Sequence, residues 1–219
     1  MTITYYEIIS KSISKFMSHD ICHRSSTLRQ NQLGVQDEET IKTAIEVTLN
    51  KWKTINIFIN TATIFTLGYV EEVSSDDWPN IMNVNVRGYL MSKHIIPIFK
   101  KQNSGSIINL ASAAGLVAHA SFLPYATSKG AIIQMTRNLA LDLGPFNIRV
   151  NSINPGAIET PTLYRTAAET CVTKAQFDEN HGGKRIKRLG HPQEIANISD
   201  RSSFTVGANV VIDGGYTIV

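Results

Sequence analysis

From Val35 onward, short β-branched runs alternate with longer stretches of helical period, a pattern that predicts an α/β domain built on a mostly parallel sheet. Asp37 is placed to cap a helix. Its first turn carries Glu38 and Glu39 against the positive end of the dipole, and Ile41, Ala44, Ile45, Leu49 and Trp52 form its apolar stripe. Ile55 to Ile59 reads as a strand buried on both faces. A second helix is expected from near Ser75 through Asn85 to Lys101, bent at Gly88 or Pro97. Ser106 to Leu110 is the next strand, Pro124 opens a third helix that Gly144 and Pro145 stop, and further strands fall at Ile148 to Ile153 and Asn209 to Ile212. Residues 1–33 stand apart: they contain no glycine, their apolar positions are scattered, and they carry no element assignment. The folded domain is expected over 34–219. Without a partner, Ile55 to Ile59 would be an open sheet edge that invites self-association, unless residues 2 to 9 cover it.

Composition narrows the function. A length of 219 residues with 42% hydrophobic and 18% charged content suits one domain with a sizeable core. A net charge of +3 is too small to capture nucleic acid or an anionic membrane surface, so neither is an expected partner. The two cysteines, Cys22 and Cys171, lie at no zinc-ligand spacing, so no disulfide framework or metal site is expected and a reducing, cytoplasmic setting fits best. Ser10 to Arg29 is rich in Ser, Lys, His and Arg, which keeps an organelle transit peptide open as an alternative. No apolar run approaches the roughly 18 residues of a membrane span. The histidines show no His-Glu-x-x-His spacing, and no Gly-x-Ser-x-Gly occurs, which argues against zinc hydrolysis and serine hydrolysis. Lys184-Arg-Ile-Lys-Arg188 resembles a basic recognition patch but leads directly into Leu189-Gly-His-Pro192 and reads as a solvated loop.

The chemistry concentrates at Tyr125 and Lys129, four apart near the start of a predicted helix and therefore on one face. A phenol with a pKa near ~10 is a poor acid or base at neutral pH, and a neighbouring ammonium favours the phenolate. Ser112 follows the strand Ser106 to Leu110, at the strand end where open α/β sheets bind ligands, and its hydroxyl could hold a reacting carbonyl oxygen beside the phenol. Spacing alone is weak. Tyr89 and Lys93 match it too, but with Asp76 in the serine's relative position and with Leu90, Met91 and Ile95 around them they read as ordinary helix surface and core.

These residues resemble the short-chain dehydrogenase/reductase family from about Val35 to Tyr216. The motifs fall in family order: Asn85-Val-Arg-Gly88, Ile107-Ile-Asn-Leu-Ala-Ser112, Tyr125-Ala-Thr-Ser-Lys129, Asn154-Pro-Gly156 with Ile158 and Thr160, Arg188-Leu-Gly-His-Pro192 and Asp213-Gly-Gly215. The resemblance implies a Rossmann-like, mostly parallel sheet flanked by helices, and hydride transfer between NAD or NADP and a secondary alcohol/ketone pair. It implies Tyr125 as acid/base and Ser112 as the group that positions the oxygen. Lys129 would lower the tyrosine pKa and hold the nicotinamide ribose, and Asn85 would help anchor a proton-relaying water. Asn60, Ala62, Tyr125, Lys129, Pro155, Gly156, Ile158 and Thr160 are the implied cofactor contacts. Asn60 can equally be a sheet-stabilising side chain, and Asn154 to Gly156 a plain turn. A homo-oligomer, dimer or tetramer, through the helices Ser75 to Lys101 and Pro124 to Leu143 is also implied.

The chain departs from the family at the cofactor's diphosphate end. No Gly-x-Gly occurs, the first glycine is Gly34, and thirty-odd residues cannot hold the three strands and two helices the family places before the helix at Asp37. The fold is therefore expected to be N-terminally truncated, and the preference for NAD or NADP is unreadable. Gly34 stands in place of the family's adenine-side aspartate, and Asn60-Thr-Ala-Thr63 in place of an Asn-Asn-Ala-Gly stretch, with a β-branched residue where the family has glycine. Glu194-Ile-Ala-Asn197 runs almost directly into Ser199-Asp-Arg201, about two turns of helix short. The alternative reading is a catalytically silent relative acting as an interaction subunit.

Overall fold

The computed structural model describes residues 6–9 (main chain), 38–161, 163, 164, 176, 179, 182, 184–196 and 203–218. The expectations for Cys22, Cys171, Gly34, Asp37 and the segments 10–29 and 197–201 lie outside these residues. The elements run β1 (Tyr6–Ile9), α1 (Glu38–Trp52), β2 (Ile57–Asn60), α2 (Asp77–Asn85), α3 (Gly88–Gln102), β3 (Gly105–Leu110), α4 (Leu123–Leu143), β4 (Ile148–Pro155), α5 (Pro192–Ala196) and β5 (Asn209–Ile212). One sheet orders the strands β1-β2-β3-β4-β5. The pairs from β2 to β5 are parallel, and β1 is antiparallel to β2, with Tyr6 opposite Asn60 and Ile9 opposite Ile57. The strand beside β2 thus falls within the 2-to-9 segment that the edge argument required.

The helical stripe read from the sequence packs as expected. Ile41 and Ile45 of α1, Leu90, Met91, Ile95 and Phe99 of α3, and Ala140 and Leu143 of α4 share one core with Phe58, Ile107, Ile148 and Val150 of the sheet. Each such fully buried aliphatic or aromatic side chain contributes about 1.5–3 kcal/mol.

The expected single helix over Ser75 to Lys101 is two helices. Ser74 braces the entry to α2: its Oγ accepts from the Asp77 N–H (3.0 Å) and donates to the Asp77 carboxylate (2.7 Å). The break falls at Val86–Arg87, where Tyr89 and Leu90 N–H groups turn back three residues, to the Val86 (3.4 Å) and Arg87 (2.9 Å) carbonyls. Pro97, by contrast, stays inside α3, which ends on Asn103 in the left-handed region (φ 50°).

A polar seam crosses this apolar core. Asn60, Asn109, Ser152 and Asn209 stand opposite one another on four successive strands. Asn60 Nδ2 donates to Asn109 Oδ1 (3.4 Å), and Asn109 Nδ2 to Thr136 Oγ1 of α4 (3.0 Å). The Asn209 amide donates to Ser152 Oγ (2.7 Å) and accepts from Arg137 Nε (3.1 Å) and Nη2 (2.9 Å). The seam fixes α4 over the sheet by bonds with direction, which apolar packing alone does not supply. It also sets the residue at the start of α3: a Cβ on Gly88 would lie 1.9 Å from Asn60 Nδ2, so only glycine lets α3 begin against the seam.

Gly88→Ala is therefore expected to destabilise the fold by about 1–3 kcal/mol in chemical denaturation. In an Asn60→Ala background the clash partner is gone, and the same substitution should lose most of that cost. Equal destabilisation in both backgrounds would contradict the packing described.

Candidate active site

The site lies at the carboxyl end of β3. Beyond Leu110 the chain stays paired to β4, the Ala111 N–H donating to the Ile153 carbonyl (2.8 Å), and then Ser112 caps a 3-10 turn over Ala113–Gly115, its Oγ accepting from the Ala114 N–H (3.2 Å). A Cβ on Gly115 would stand 2.8 Å from the Lys129 carbonyl carbon. This close approach lays the turn on the α4 backbone and brings the Ser112 hydroxyl beside the Tyr125 phenol. Lys129, one turn further along α4, is fully buried; its Nζ donates to the Leu110 carbonyl (2.9 Å) and stands 5.5 Å from the Tyr125 ring centre.

Burial sets the protonation states. Tyr125 keeps part of its surface accessible, yet desolvation pushes its phenol up to about 12, only partly opposed by the nearby Ser112 hydroxyl. Desolvation pushes the Lys129 ammonium down to about 7. The expectation that Lys129 lowers the tyrosine pKa is not met in this arrangement. The ammonium faces a main-chain carbonyl, and both groups are driven toward their neutral forms.

Asn85 is fully buried at the end of α2. Its Oδ1 accepts from the Ile64 N–H (2.7 Å), and its Nδ2 donates to the Ile64 carbonyl (3.1 Å) and to Ser128 Oγ (2.9 Å). The side chain thus latches the loop after β2 to α4 beside Lys129. A water contact from Asn85 would have to come from its main chain. That loop carries Phe65, whose ring sits 4.2 Å from the Tyr125 ring and 5.5 Å, edge-on, from Phe122. Neither phenylalanine was singled out from the sequence; a large apolar residue just past a strand end was the available signal.

The other implied contacts divide into two groups. Asn60 and Ala62 are buried, Asn60 in the seam with its Oδ1 unpartnered and Ala62 packed against Val84, so neither side chain faces the site surface. Pro155, Gly156, Ile158 and Thr160 are half-buried and form a braced loop. The Gly156 N–H donates to the Ile212 carbonyl (2.9 Å), Gly190 N–H to Ala157 (2.9 Å), and Glu159 N–H to Gly190 (2.8 Å). A Cβ on Gly156 would stand 2.9 Å from Asp213 Cα, so the turn there requires glycine. Asn154, fully buried, donates to Ser152 Oγ (3.2 Å). The Lys184–Arg188 segment is exposed but anchored, with Arg188 gripping the Glu194 carboxylate through two bonds (2.8 and 2.9 Å).

The donor set fits the nicotinamide-ribose half of a dinucleotide. A buried cation whose nearest bond is to a neutral carbonyl has donors to give to sugar hydroxyls, beside a phenol and a serine. The diphosphate half is not matched by the described residues at the β2 edge, because the strand there is antiparallel. Among the described residues no group of His, Cys, Asp and Glu could hold a metal ion, and no helix is long and apolar enough to cross a membrane.

The depressed lysine pKa fixes a sign. Between pH 7 and Lys129's ordinary 10.5 the unfolded chain binds more protons than the native one, so stability rises with pH over that window. Tyr125 acts oppositely, but only between 10 and 12. The melting temperature of the wild type relative to Lys129→Met should therefore climb by on the order of 5 °C from about pH 7 to about pH 9. A constant difference would mean that Lys129 titrates normally.

The family model described as enoyl-(acyl carrier protein) reductase matches residues 19–217. The trans-4-hydroxycyclohexanecarboxylate dehydrogenase of Sinomonas cyclohexanicum is 36% identical over 191 residues, covering 84% of this chain and 69% of that protein. Among solved structures, ligand-free aldohexose dehydrogenase of Thermoplasma acidophilum is similar at TM-score 0.78 and 30% identity, over 84% of this chain and 76% of that one. ElxO with NADP bound is similar at TM-score 0.78 and 25% identity, over 86% and 77%. With Ser112, Tyr125 and Lys129 gathered at one strand end of a Rossmann-like sheet, these matches make the chain a member of the short-chain dehydrogenase/reductase family of oxidoreductases.

Proposed function

We propose that the chain interconverts a secondary alcohol and a ketone using a nicotinamide cofactor, with Tyr125 as the acid/base. The observation that carries this reading is the Ser112 hydroxyl beside the Tyr125 phenol, with Lys129 buried one turn along α4 and its Nζ held on the Leu110 carbonyl. Its relatives' names support the substrate class: the Sinomonas protein is a dehydrogenase of a hydroxylated ring, and the Thermoplasma protein a dehydrogenase of a sugar. ElxO, with NADP bound, supports the cofactor class. The choice between NAD and NADP stays open in this reading.

The proton chemistry follows from the geometry. Ser112 accepts the Ala114 N–H, which leaves its own proton to donate toward the reacting oxygen. A phenol with its pKa raised to about 12 rests protonated at neutral pH, so Tyr125 is set up as the acid when a carbonyl is reduced. When bound, the nicotinamide ring supplies or accepts the hydride. As Tyr125 gives up its proton, negative charge grows on its oxygen. The protonated Lys129 nearby stabilises that charge in a site of low dielectric, where such an interaction is strong. With its own pKa near 7, Lys129 can then release a proton to refill the phenol. Asn85 holds the surrounding frame beside Lys129 and, in this reading, helps anchor a water on that route. Phe65 and Phe122 form the apolar wall beside the phenol and favour a substrate with hydrophobic surface next to its hydroxyl. Exposed Tyr89 on α3, and Leu123 and Leu141 on α4, give these helices apolar surface that a homo-oligomer would cover.

Tyr125→Phe keeps the ring packing and removes only the proton. It should lower kcat by about 10²–10⁴-fold with little change in melting temperature. Turnover retained in that variant would remove Tyr125 from the mechanism.

A further inference from the structure

The aromatic wall beside the phenol does not end at Phe122. Tyr125 packs on Phe65 (ring centres 4.2 Å apart) and on Phe122 (6.2 Å), Phe122 meets His119 (5.0 Å), and His119 stacks on Tyr216 (5.2 Å, 16° between planes). The Lys184 Nζ closes the file, 5.2 Å from the centre of the Tyr216 ring. Unlike the core rings of Phe58 and Phe99, which are fully buried, all five of these residues keep part of their surface accessible. Rings in contact with one another, beside a reacting group and still open to solvent, form the kind of surface that a ligand covers.

The far end of the file is built into the fold. Strand β5 pairs in parallel with β4 and ends at Ile212, opposite Pro155, so the turn after it emerges at the edge of the sheet that also carries Ser112. Gly214 (φ 60°) and Gly215 (φ 77°) fold that turn back, and the Tyr216 N–H donates to the Asp213 carbonyl (3.2 Å). The Gly214 carbonyl accepts from the N–H groups of Arg185 (3.0 Å) and Ile186 (2.9 Å), so one turn holds both Tyr216 and the basic segment that contains Lys184. A Cβ on Gly215 would lie 2.7 Å from Arg185 Cγ, which shows how closely the two segments meet. The acidic groups at this end are already engaged: the Asp213 carboxylate accepts from the Gly215 (2.9 Å) and Thr217 (2.8 Å) N–H groups, and Glu194 holds Arg188. An ammonium over the last ring of an apolar file offers a charged end to a ligand whose body lies on the rings.

We infer that the substrate is a ring-bearing ketone or alcohol with a carboxylate remote from its reacting carbon, the ring lying along Phe122 and His119 and the carboxylate meeting Lys184, with Tyr216 as a specificity-determining residue. The inference rests on the reading of Tyr125 as the acid/base at the other end of the file. It gives the Lys184–Arg188 segment a part in substrate recognition.

The test is a calorimetric titration of the full chain, with and without NADPH, using 4-acetylbenzoate and 3-(4-acetylphenyl)propanoate, each compared with its methyl ester. At low salt at least one acid should bind about fivefold or more tighter than its ester, a preference on the scale of one charge-assisted bond that shrinks as salt is added. Lys184→Gln, a change at an exposed position, should remove that preference by weakening the acids more than the esters. Tyr216→Leu should weaken acid and ester together by about threefold, the scale of one lost ring contact. Acids that bind no better than their esters, or a preference that survives in Lys184→Gln, would overturn the inference. Reduction of the same ketones by NADH or NADPH, followed by absorbance, tests the oxidoreductase reading separately: turnover without an acid preference sinks the inference alone, and a Lys184-dependent preference without turnover sinks that reading alone. If neither acids nor esters bind and none is reduced, both fail.

Discussion

An ammonium buried against a neutral carbonyl is the constraint around which this site is organised. Lys129 is fully enclosed, its desolvation is offset by no carboxylate among the described residues, and its pKa falls to about 7 as a result. Such a group is held in place only because the surroundings over-determine it. Gly115 lets the turn after β3 lie on the α4 backbone, the Leu110 carbonyl meets the Nζ, and the Asn85 latch fixes Ser128 next to it. The arrangement is costly for the resting fold and useful for chemistry, because a proton that is easily lost and a charge that is poorly screened both sit beside the phenol.

The polar seam has a comparable role one layer below. Three of its four strand positions are fully buried, and the bonds from Asn109 to Thr136 and from Asn209 to Arg137 tie α4 to the sheet at a defined register. A one-residue slip would point every seam side chain to the wrong face and misplace Tyr125 and Lys129 together. The unpartnered Asn60 Oδ1 is the weak point of the seam, a buried acceptor that costs about 1–3 kcal/mol if no water reaches it.

Much of this was legible in the sequence because local patterns carried it. The stripe of α1, the strand at Ser106 to Leu110, the proline at the start of α4 and the Ser112, Tyr125 and Lys129 spacing all depend on near neighbours, and the structure places them as read. What was missed depends on distant pairs. The bend expected at Gly88 or Pro97 is a full break at Val86–Arg87, and the contact that requires glycine beside it, Gly88 against Asn60 28 residues away in sequence, is one that no periodicity reports. The seam escaped notice because single asparagines at strand ends look like ordinary termini until register aligns them. The pKa of Tyr125 went opposite to expectation for the same reason: spacing shows that Lys129 is near, but not that its ammonium turns to Leu110 and that burial dominates. The direction of β1 could not be read at all, since a strand of four residues carries no sign of parallel or antiparallel pairing.

The most direct test of the account is the titration of Lys129 itself, read from the side-chain carbon shifts of isotope-labelled lysines as pH is raised. One lysine should titrate near pH 7, and its signal should vanish in Lys129→Met. If every lysine titrates near the ordinary value of 10.5, the buried, unneutralised ammonium does not exist and the proposed proton route goes with it.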